Sequence, residues 1–249
     1  MPKTIFCDMD ETVLNDEKVI TPRTVLAIKR AHDAGHKIIF CTGSSLTQQL
    51  PRIQNIDVDY IATSNGGHIY DIKNAKTIFQ TVMPKDVVKK CLDTLKPICA
   101  EVFVHVGRES YHLTRVDEPN YEGVTQIIPC ARGNEDEVEK VIYKFCEQND
   151  LWVVNEGRSS IRSGSVYCWD VVCKTVDKGK GVKRFYDILK IDRKDTVAIG
   201  DGRNDILMFE QVAYKVAMGN ALVKVNDLAD IVVADNNHDG VAEYLESIS

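Results

Sequence analysis

Short apolar runs alternate with segments of helical spacing at both ends of the chain. Ile5-Phe6-Cys7, Ile38-Ile39-Phe40-Cys41 and Tyr60-Ile61-Ala62-Thr63 read as buried strands. Between the first two, Pro22 behind Thr21 opens a helix that ends near Gly35. Continuous apolar strands separated by helices predict a parallel sheet covered on both faces. The style changes after Ser64, where Asn65-Gly66-Gly67 reads as a turn and 68–71 with 77–80 as a hairpin around Asn74.

Pro84 marks a second change. Val87, Val88, Cys91, Leu92 and Leu95 make a helical stripe. Val102, Val104 and Val106 alternate up to a tight Gly107-Arg108 link, and Tyr111 and Leu113 alternate on the return. Val138, Val141, Ile142 and Phe145 keep helical spacing behind Asn134 and Glu137, which resemble a capping box. Segments 152–155, 159–162 and 166–172 then read as antiparallel strands. After Thr175 the first style returns: a stripe of Val182, Phe185, Tyr186 and Leu189, a buried strand at Thr196-Val197-Ala198-Ile199, and two more at 214–218 and 231–233. The predicted architecture is an α/β parallel-sheet core, 1–82 and 174–249, interrupted by an inserted α+β domain, 83–173.

Composition narrows the partners. Of 249 residues, 44% are hydrophobic and 27% charged, ordinary globular values that argue against disorder. Lys+Arg 31 against Asp+Glu 37 gives a net charge of −6, and no basic stripe suggests nucleic acid. No apolar run approaches the ~20 residues of a membrane span. Met1-Pro2-Lys3 runs straight into a strand without signal-peptide form, so a cytoplasmic location is expected. The eight cysteines form no C-x-x-C pair and several sit in apolar runs, so all are expected to be reduced packing residues. Oligomeric state is open, monomer or weak dimer.

Three of the buried strands end in a polar group: Asp8-Met9-Asp10-Glu11-Thr12, Thr42-Gly43-Ser44 and Gly200-Asp201-Gly202-Arg203-Asn204-Asp205. Ligands of open parallel sheets bind beyond the carboxyl ends of the strands. If these strands are neighbours, Asp8, Asp10, Asp201 and Asp205 converge. Two carboxylates ~4 Å apart repel by about 4 kcal/mol at an effective dielectric near 20, so such a group protonates or holds a cation. Hard oxygen ligands suit Mg²⁺. Any one of these aspartates taken alone is more often a turn former or helix cap. A calcium loop is excluded, because Val13 and Val19 occupy its glycine and glutamate positions. Gly200-x-Gly202 lacks the third glycine of a dinucleotide fingerprint, and Gly179-Lys180-Gly181 is no phosphate loop of the nucleotide-binding kind.

The run 8–12, the strand ending in Thr42-Gly43, the pair Lys178-Gly179 and Gly200-Asp201-x-x-Asn204-Asp205 resemble the four motifs of the haloacid dehalogenase-like (HAD) phosphatases. Ala217-Met218-Gly219-Asn220-Ala221, with Ala229-Asp230 and Asp239-Gly240-Val241-Ala242, is similar to the Cof-type sugar-phosphatase branch, whose α/β cap lies where the insertion falls here. The resemblance implies a Rossmann-like core and hydrolysis of a small phosphorylated metabolite. It makes Asp8 the nucleophile that forms an aspartyl-phosphate and Asp10 the general acid and base. Thr42, Gly43, Lys178 and Asn204 would bind the phosphoryl group. Mg²⁺ would sit on Asp8, Asp10 (through its carbonyl) and Asp201, supported by Asp205. Phosphoryl transfer needs positioning and charge neutralisation above all, and this set supplies both.

Two departures stand out: Glu11 where the family has Gly, and Ser44-Ser45 where the branch continues into Arg. They motivate one alternative, a catalytically impaired phosphosugar- or metal-binding regulatory module; another, a phosphomutase on hexose phosphates, stays open because the same aspartates would serve it. A dinucleotide-dependent oxidoreductase ranks last. Lys178 alone would read as a solvated first-turn lysine, and Asn236 and Asp239 as turn or cap residues. His68 is expected at the surface, as are His105 and His112, which face each other on the insertion's strands without a third metal ligand. Arg108, Tyr111, Arg158 and Arg162 could meet an anionic substrate or simply line solvated faces. Trp152 and Trp169 read as packing residues.

Overall fold

The computed structural model describes residues 3–113, 122–159 and 166–249, with the backbone alone for Glu156, Arg158 and Ser159. The chain opens with β1 (Thr4–Asp8), α1 (Pro22–Asp33), β2 (Lys37–Cys41), α2 (Leu46–Ile53) and β3 (Tyr60–Thr63). A single 3-10 turn, Ser64–Gly66, leads into the hairpin β4 (His68–Asp71) and β5 (Lys76–Gln80). Thr21 caps α1 by accepting the Thr24 N–H, and Pro22 fills the first helical turn. Then come α3 (Lys85–Leu95), the strands β6 (Glu101–Val106), β7 (Glu109–His112) and β8 (Val124–Ala131), α4 (Glu135–Gln148), β9 (Leu151–Ser159) and β10 (Val166–Cys173). The return is α5 (Lys178–Leu189), β11 (Thr196–Gly200), α6 (Asp205–Phe209), β12 (Tyr214–Ala217), α7 (Val223–Asn226), β13 (Ile231–Val232) and α8 (Gly240–Ile248).

Two sheets result. The larger has the order β13-β12-β11-β1-β2-β3-β4-β5, parallel from β13 to β3 and antiparallel through the hairpin. β1 is buried along its whole length, and its residues alternate between two cores. Ile5 and Cys7 pack with Ala27 and Ile28 of α1 and with Leu245 of α8. Phe6 packs on the opposite face with Val182 and Phe185 of α5 and with Met208 and Phe209 of α6. Apolar residues on both sides of every central strand are what a doubly covered sheet requires, so the expected α/β fold is borne out. The terminal strand β13 departs from expectation: Ile231 and Val232 are exposed, because an edge strand has a neighbour on one side only.

The second sheet, β7-β6-β8-β10-β9, is antiparallel and carries α3 and α4 on one face over an apolar core of its own. Three corrections fall here. The central strand β8 has no counterpart in the sequence reading: its eight residues are all buried, so the run shows no alternation, and Pro129 interrupts it. The expected strands 152–155 and 159–162 are one strand as far as Ser159, and 160–162 lie outside the described residues. Cys130 and Cys168 are not reduced packing residues but form a disulfide between β8 and β10. They stand directly opposite in the ladder, a proximity that a separation of 38 residues conceals. The other six cysteines are free, four of them buried.

Candidate active site

β1 lies between β2 and β11, where the chain's two directions of travel across the sheet diverge. The carboxyl ends of these three strands therefore sit side by side at the topological switch point. Asp8 ends β1 level with Cys41 of β2, so the loops after β1, β2 and β11 share one rim.

A buried charge cluster occupies that rim. Lys178 Nζ donates to Asp8 Oδ1 at 2.5 Å and to Asp205 Oδ1 at 2.6 Å. The other oxygen of Asp205 accepts the N–H groups of Asp201 (3.0 Å) and Gly202 (2.8 Å). Asp201 Oδ1 accepts the Thr12 hydroxyl at 2.5 Å. One carboxylate oxygen from each of Asp8, Asp201 and Asp205 lies within 4.8 Å of the others. Asp8 is 6%, Asp201 8%, Asp205 0% and Lys178 2% exposed. Among the described residues no donor reaches Asp8 Oδ2 or Asp201 Oδ2.

Local sequence makes this possible. Asp177 caps α5 by accepting the Lys180 N–H at 2.6 Å, which places Lys178 at the helix's first position. A cation there opposes the helix dipole, and the two carboxylates offset that cost. A Cβ on Gly179 would lie 2.2 Å from the Leu207 carbonyl oxygen, so only glycine lets α5 approach the backbone of α6 this closely. A Cβ on Gly200 would strike the Asp205 carboxyl at 2.6 Å, so that glycine lets Asp205 fold back beneath the rim.

The cluster is short of positive charge. Burial and then the charge of Asp205 push the Asp8 carboxyl well above the usual carboxylate range, against the pull of Lys178. Burial, then Asp205, raise Asp201 to about 7. Burial alone would depress Lys178, but Asp205 and Asp8 hold its ammonium above the ordinary lysine value. One lysine cannot balance three carboxylates, and two of them keep an open oxygen. Hard oxygen ligands with uncompensated charge fit a divalent cation.

The remaining predicted residues surround this cluster. Thr42 is buried, with its hydroxyl accepting the Ser44 N–H at 3.0 Å and its carbonyl accepting the Asn65 N–H at 3.0 Å. Asp10 stands apart from the three clustered carboxylates: its side chain accepts the Ser44 hydroxyl at 3.3 Å and pairs with Lys18 at 3.7 Å. Asn204, buried beside Asp205 in the chain, donates to Asn65 Oδ1 at 3.1 Å.

A family model of haloacid dehalogenase-like hydrolases matches residues 5–245. The chain belongs to this family. It is 26% identical to 5-amino-6-(5-phospho-D-ribitylamino)uracil phosphatase YwtE of Bacillus subtilis, over 99% of this chain and 98% of that one. It is 27% identical to pyridoxal phosphate phosphatase YbhA of Escherichia coli, over 98% of each. The solved HAD subclass IIB sugar phosphatase BT4131 superposes with a TM-score of 0.78 at 22% identity, over 98% of both chains. The reading of the chain as a HAD-like phosphatase of the Cof type is borne out.

This HAD-like enzyme also contains site residues that the motifs did not disclose. Asn65, wholly buried, sits in a left-handed conformation (φ 54°) after β3. Its amide donates to Gln126 Oε1 of β8 (3.2 Å) and to Asp170 Oδ2 of β10 (3.0 Å), while its oxygen accepts from Asn204. Gln126 in turn donates to the Gly43 carbonyl at 3.2 Å. The Asn65-Gly66-Gly67 turn signalled the backbone bend; nothing in the sequence paired it with two strands of the second sheet. Lys18 likewise carried no motif.

Among the other candidates, His68 is not at the surface. Its ring is wholly buried between the hydroxyls of Thr63 (3.0 Å) and Thr77 (2.9 Å), and burial lowers its pKa to about 4. His105 is also buried, within 3.1 Å of Ser64 Oγ, while His112 stacks on Phe103 at a centroid distance of 4.4 Å. Arg108 lies over the Tyr70 ring and its carbonyl accepts the Thr47 N–H, and Tyr111 packs on the second core. Arg162 lies outside the described residues, as does the Arg158 side chain. Trp169 is core, and Trp152 donates to the Val176 carbonyl. Asn236 braces the first loop through the Leu14 carbonyl and Asp16, and Asp239 holds the start of α1 through Thr21 and Thr24. The free thiols of Cys7 and Cys41 are buried in the sheet beneath the cluster, and burial pushes Cys41 up to about 12.

Proposed function

We propose that this enzyme hydrolyses small phosphorylated metabolites, sugar phosphates foremost, through an aspartyl-phosphate on Asp8, with Mg²⁺ as its cofactor. The observation that carries the reading is Lys178, buried and bridging Asp8 and Asp205 beside Asp201 at the carboxyl ends of the strands. The names of two relatives, one for a ribitylamino-uracil phosphate and one for pyridoxal phosphate, support a small polar metabolite as substrate.

Asp8 attacks phosphorus as the ester P–O bond breaks, and the bond electrons leave with the alcohol oxygen. Asp10 gives that oxygen its proton. Water then attacks the acyl phosphate, Asp10 takes a proton from it, and the Asp8–phosphorus bond breaks to release inorganic phosphate. Lys178 neutralises the phosphoryl oxygens as charge builds, and Thr42 with the Gly43 backbone N–H orients them. Asp205 holds Lys178 and the amides of Asp201 and Gly202 in place. Asp8, the Asp10 carbonyl and Asp201 would hold Mg²⁺, which supplies neutralisation of the phosphoryl charge. Residues 83–173 act as a cap, Gln126 and Asp170 bringing its sheet against Gly43 and Asn65. A Mg²⁺-dependent phosphate-release screen over sugar phosphates, pyridoxal phosphate and nucleotides tests the reading. Sugar phosphates should release phosphate and Asp8→Asn should abolish release while the protein stays folded. Isomerised sugar without free phosphate would instead indicate a mutase, and an active Asp8→Asn variant would overturn the mechanism.

A further inference from the structure

The acid–base carboxylate has holders of its own. Ser44 Oγ donates to Asp10 Oδ2 at 3.3 Å, and Lys18 Nζ lies 3.7 Å from Oδ1. The side chains of Lys18 and Asp10 are 24% and 36% exposed, so the pair sits at the mouth of the site. Both holders come from rigid backbone. The Ser44 N–H donates to Thr42 Oγ1 at 3.0 Å and its carbonyl accepts the Ser64 N–H at 3.0 Å. Lys18 sits at φ 60°, a conformation that L-residues rarely adopt. Its turn is tied by Lys18 N–H to the Asn15 carbonyl (2.9 Å), Asn15 N–H to the Val19 carbonyl (3.1 Å) and Val19 N–H to Asn15 Oδ1 (3.1 Å). Arg52 of α2 adds a fourth tie, donating to the Lys18 carbonyl at 3.3 Å. These ties fix the Cα–Cβ direction of Lys18, and its side chain extends from there to Asp10.

We propose that Lys18 and Ser44 are positioning residues for Asp10, holding its carboxylate in the rotamer from which it exchanges protons with the leaving oxygen and with water. This rests on the assignment of Asp10 as the acid and base. An aspartate at a rim has several staggered rotamers, and proton transfer requires its oxygen within about 2.6–3.2 Å of the reacting oxygen. Ser44 anchors one oxygen by a hydrogen bond. Lys18 lies beside the other at 3.7 Å, too far for a hydrogen bond, and so leaves Oδ1 open to exchange a proton. The arginine absent after Gly43 is thus no gap in the site: the serine standing there reaches the catalytic loop.

The test uses kcat/KM on two aryl phosphates, which reports only steps up to phosphorylation of Asp8. Phenyl phosphate releases a phenolate with a tyrosine-like pKa of about 10 and depends on a donated proton; p-nitrophenyl phosphate loses a far more stable anion and depends on it little. Lys18→Met and Ser44→Ala should each lower kcat/KM on phenyl phosphate by about 5- to 20-fold, part of the 10²–10⁴ that acid–base catalysis supplies. The loss on p-nitrophenyl phosphate should stay within about 2-fold. Lys18→Arg should restore the phenyl phosphate rate. In an Asp10→Asn background neither substitution should cost anything further. Equal losses on both substrates, no loss, or the same loss in the Asp10→Asn background would overturn the positioning role and leave Asp10's role standing. An Asp10→Asn enzyme as active as the wild type would overturn the acid–base assignment itself. Should Ser44→Ala unfold, Lys18→Met and its arginine rescue decide alone.

Discussion

Two polar assemblies meet at Asn204. On one side lies the cluster of Asp8, Asp201, Asp205 and Lys178, buried and with more negative charge than its one ammonium balances. On the other lies a seam of amides, Asn65, Gln126 and Asn204, with Asp170, whose hydrogen bonds close on one another across the two sheets. The difference separates chemistry from architecture. Uncompensated buried charge is costly unless something else completes it, and under the proposed function a cation and a phosphoryl group complete the cluster. Asn65 has every polar atom of its amide engaged inside the protein, and its work is to hold the sheets together.

The sharpest way to break this comparison is to remove the cluster's cation. Lys178→Met should lower kcat on p-nitrophenyl phosphate by about 10³, the scale of losing one preorganised charge-stabilising donor. It should also lower stability by about 3 kcal/mol at neutral pH, since two buried carboxylates lose their partner. That penalty should shrink at pH 5, where Asp8 and Asp201 can take up protons. Steady-state kinetics and denaturant unfolding at the two pH values check both parts. An active variant would mean that the cluster's charge is structural after all.

The seam should behave in the opposite sense. Asn65→Ala removes three side-chain hydrogen bonds at about 1 kcal/mol each and puts alanine at a positive φ that suits it poorly. We expect a loss of about 3 kcal/mol in unfolding free energy with only about a tenfold fall in kcat. A variant that lost more activity than stability would move Asn65 into the catalytic set.

What the sequence disclosed follows the same division. Asp8, Asp201 and Asp205 were legible because each follows an apolar strand, and β1, β2 and β11 are read from such strands. Lys178 was recognisable only by its place in a motif order; its burial comes from Gly179 and the Asp177 cap, which let α5 press into the site. The seam was invisible. Gln126 lies on β8, a strand buried on both faces and interrupted by Pro129, so no period of two marked it. Asn65 and Gln126 are 61 residues apart, and Asn65 and Asp170 105, and no local pattern reports a contact at such range. The histidines failed for a related reason. His68 and His105 are polar in sequence yet buried, His68 between two hydroxyls that satisfy both ring nitrogens and His105 with Nδ1 beside Ser64 Oγ.

A pH experiment without metal probes the cluster more gently. Asp201 holds its proton up to about pH 7 in the folded chain and loses it near pH 4 when unfolded. Between those values the folded state binds more protons, so this residue's contribution to stability falls as pH rises from about 4 to 7. His68, buried and neutral with a pKa of about 4, works in the other direction, its contribution lost as pH falls below about 6.5. Comparing the chelated wild type with Asp201→Asn removes the histidine from the result. The difference in Tm between them should grow in favour of the variant as pH rises to 7. Added Mg²⁺ should reverse it for the wild type, because an ion on the carboxylates displaces the proton.

The smallest expected effect lies at the edge of the cluster, in Glu11. Its side chain is exposed, but its backbone has φ 62°, and its carbonyl accepts the Asn220 amide at 2.8 Å, which holds it there. That conformation explains why the related motif carries glycine at this place: an L-residue in the left-handed region costs about 1–2 kcal/mol, which glycine avoids. Glycine returns part of the gain through a more flexible unfolded chain, so Glu11→Gly should stabilise by about 0.5–1 kcal/mol, a rise in Tm of about 1–4 °C. Glu11→Ala keeps the strain and removes the charge, and should move Tm much less. The charge itself acts on the cluster, since Glu11 adds to the forces that raise Asp201. Both variants should therefore shift the chelated pH profile downward together, and only the glycine variant should raise Tm. If alanine and glycine stabilised equally, the first loop would be limited by its charge and would belong with the carboxylates rather than with the backbone that carries them.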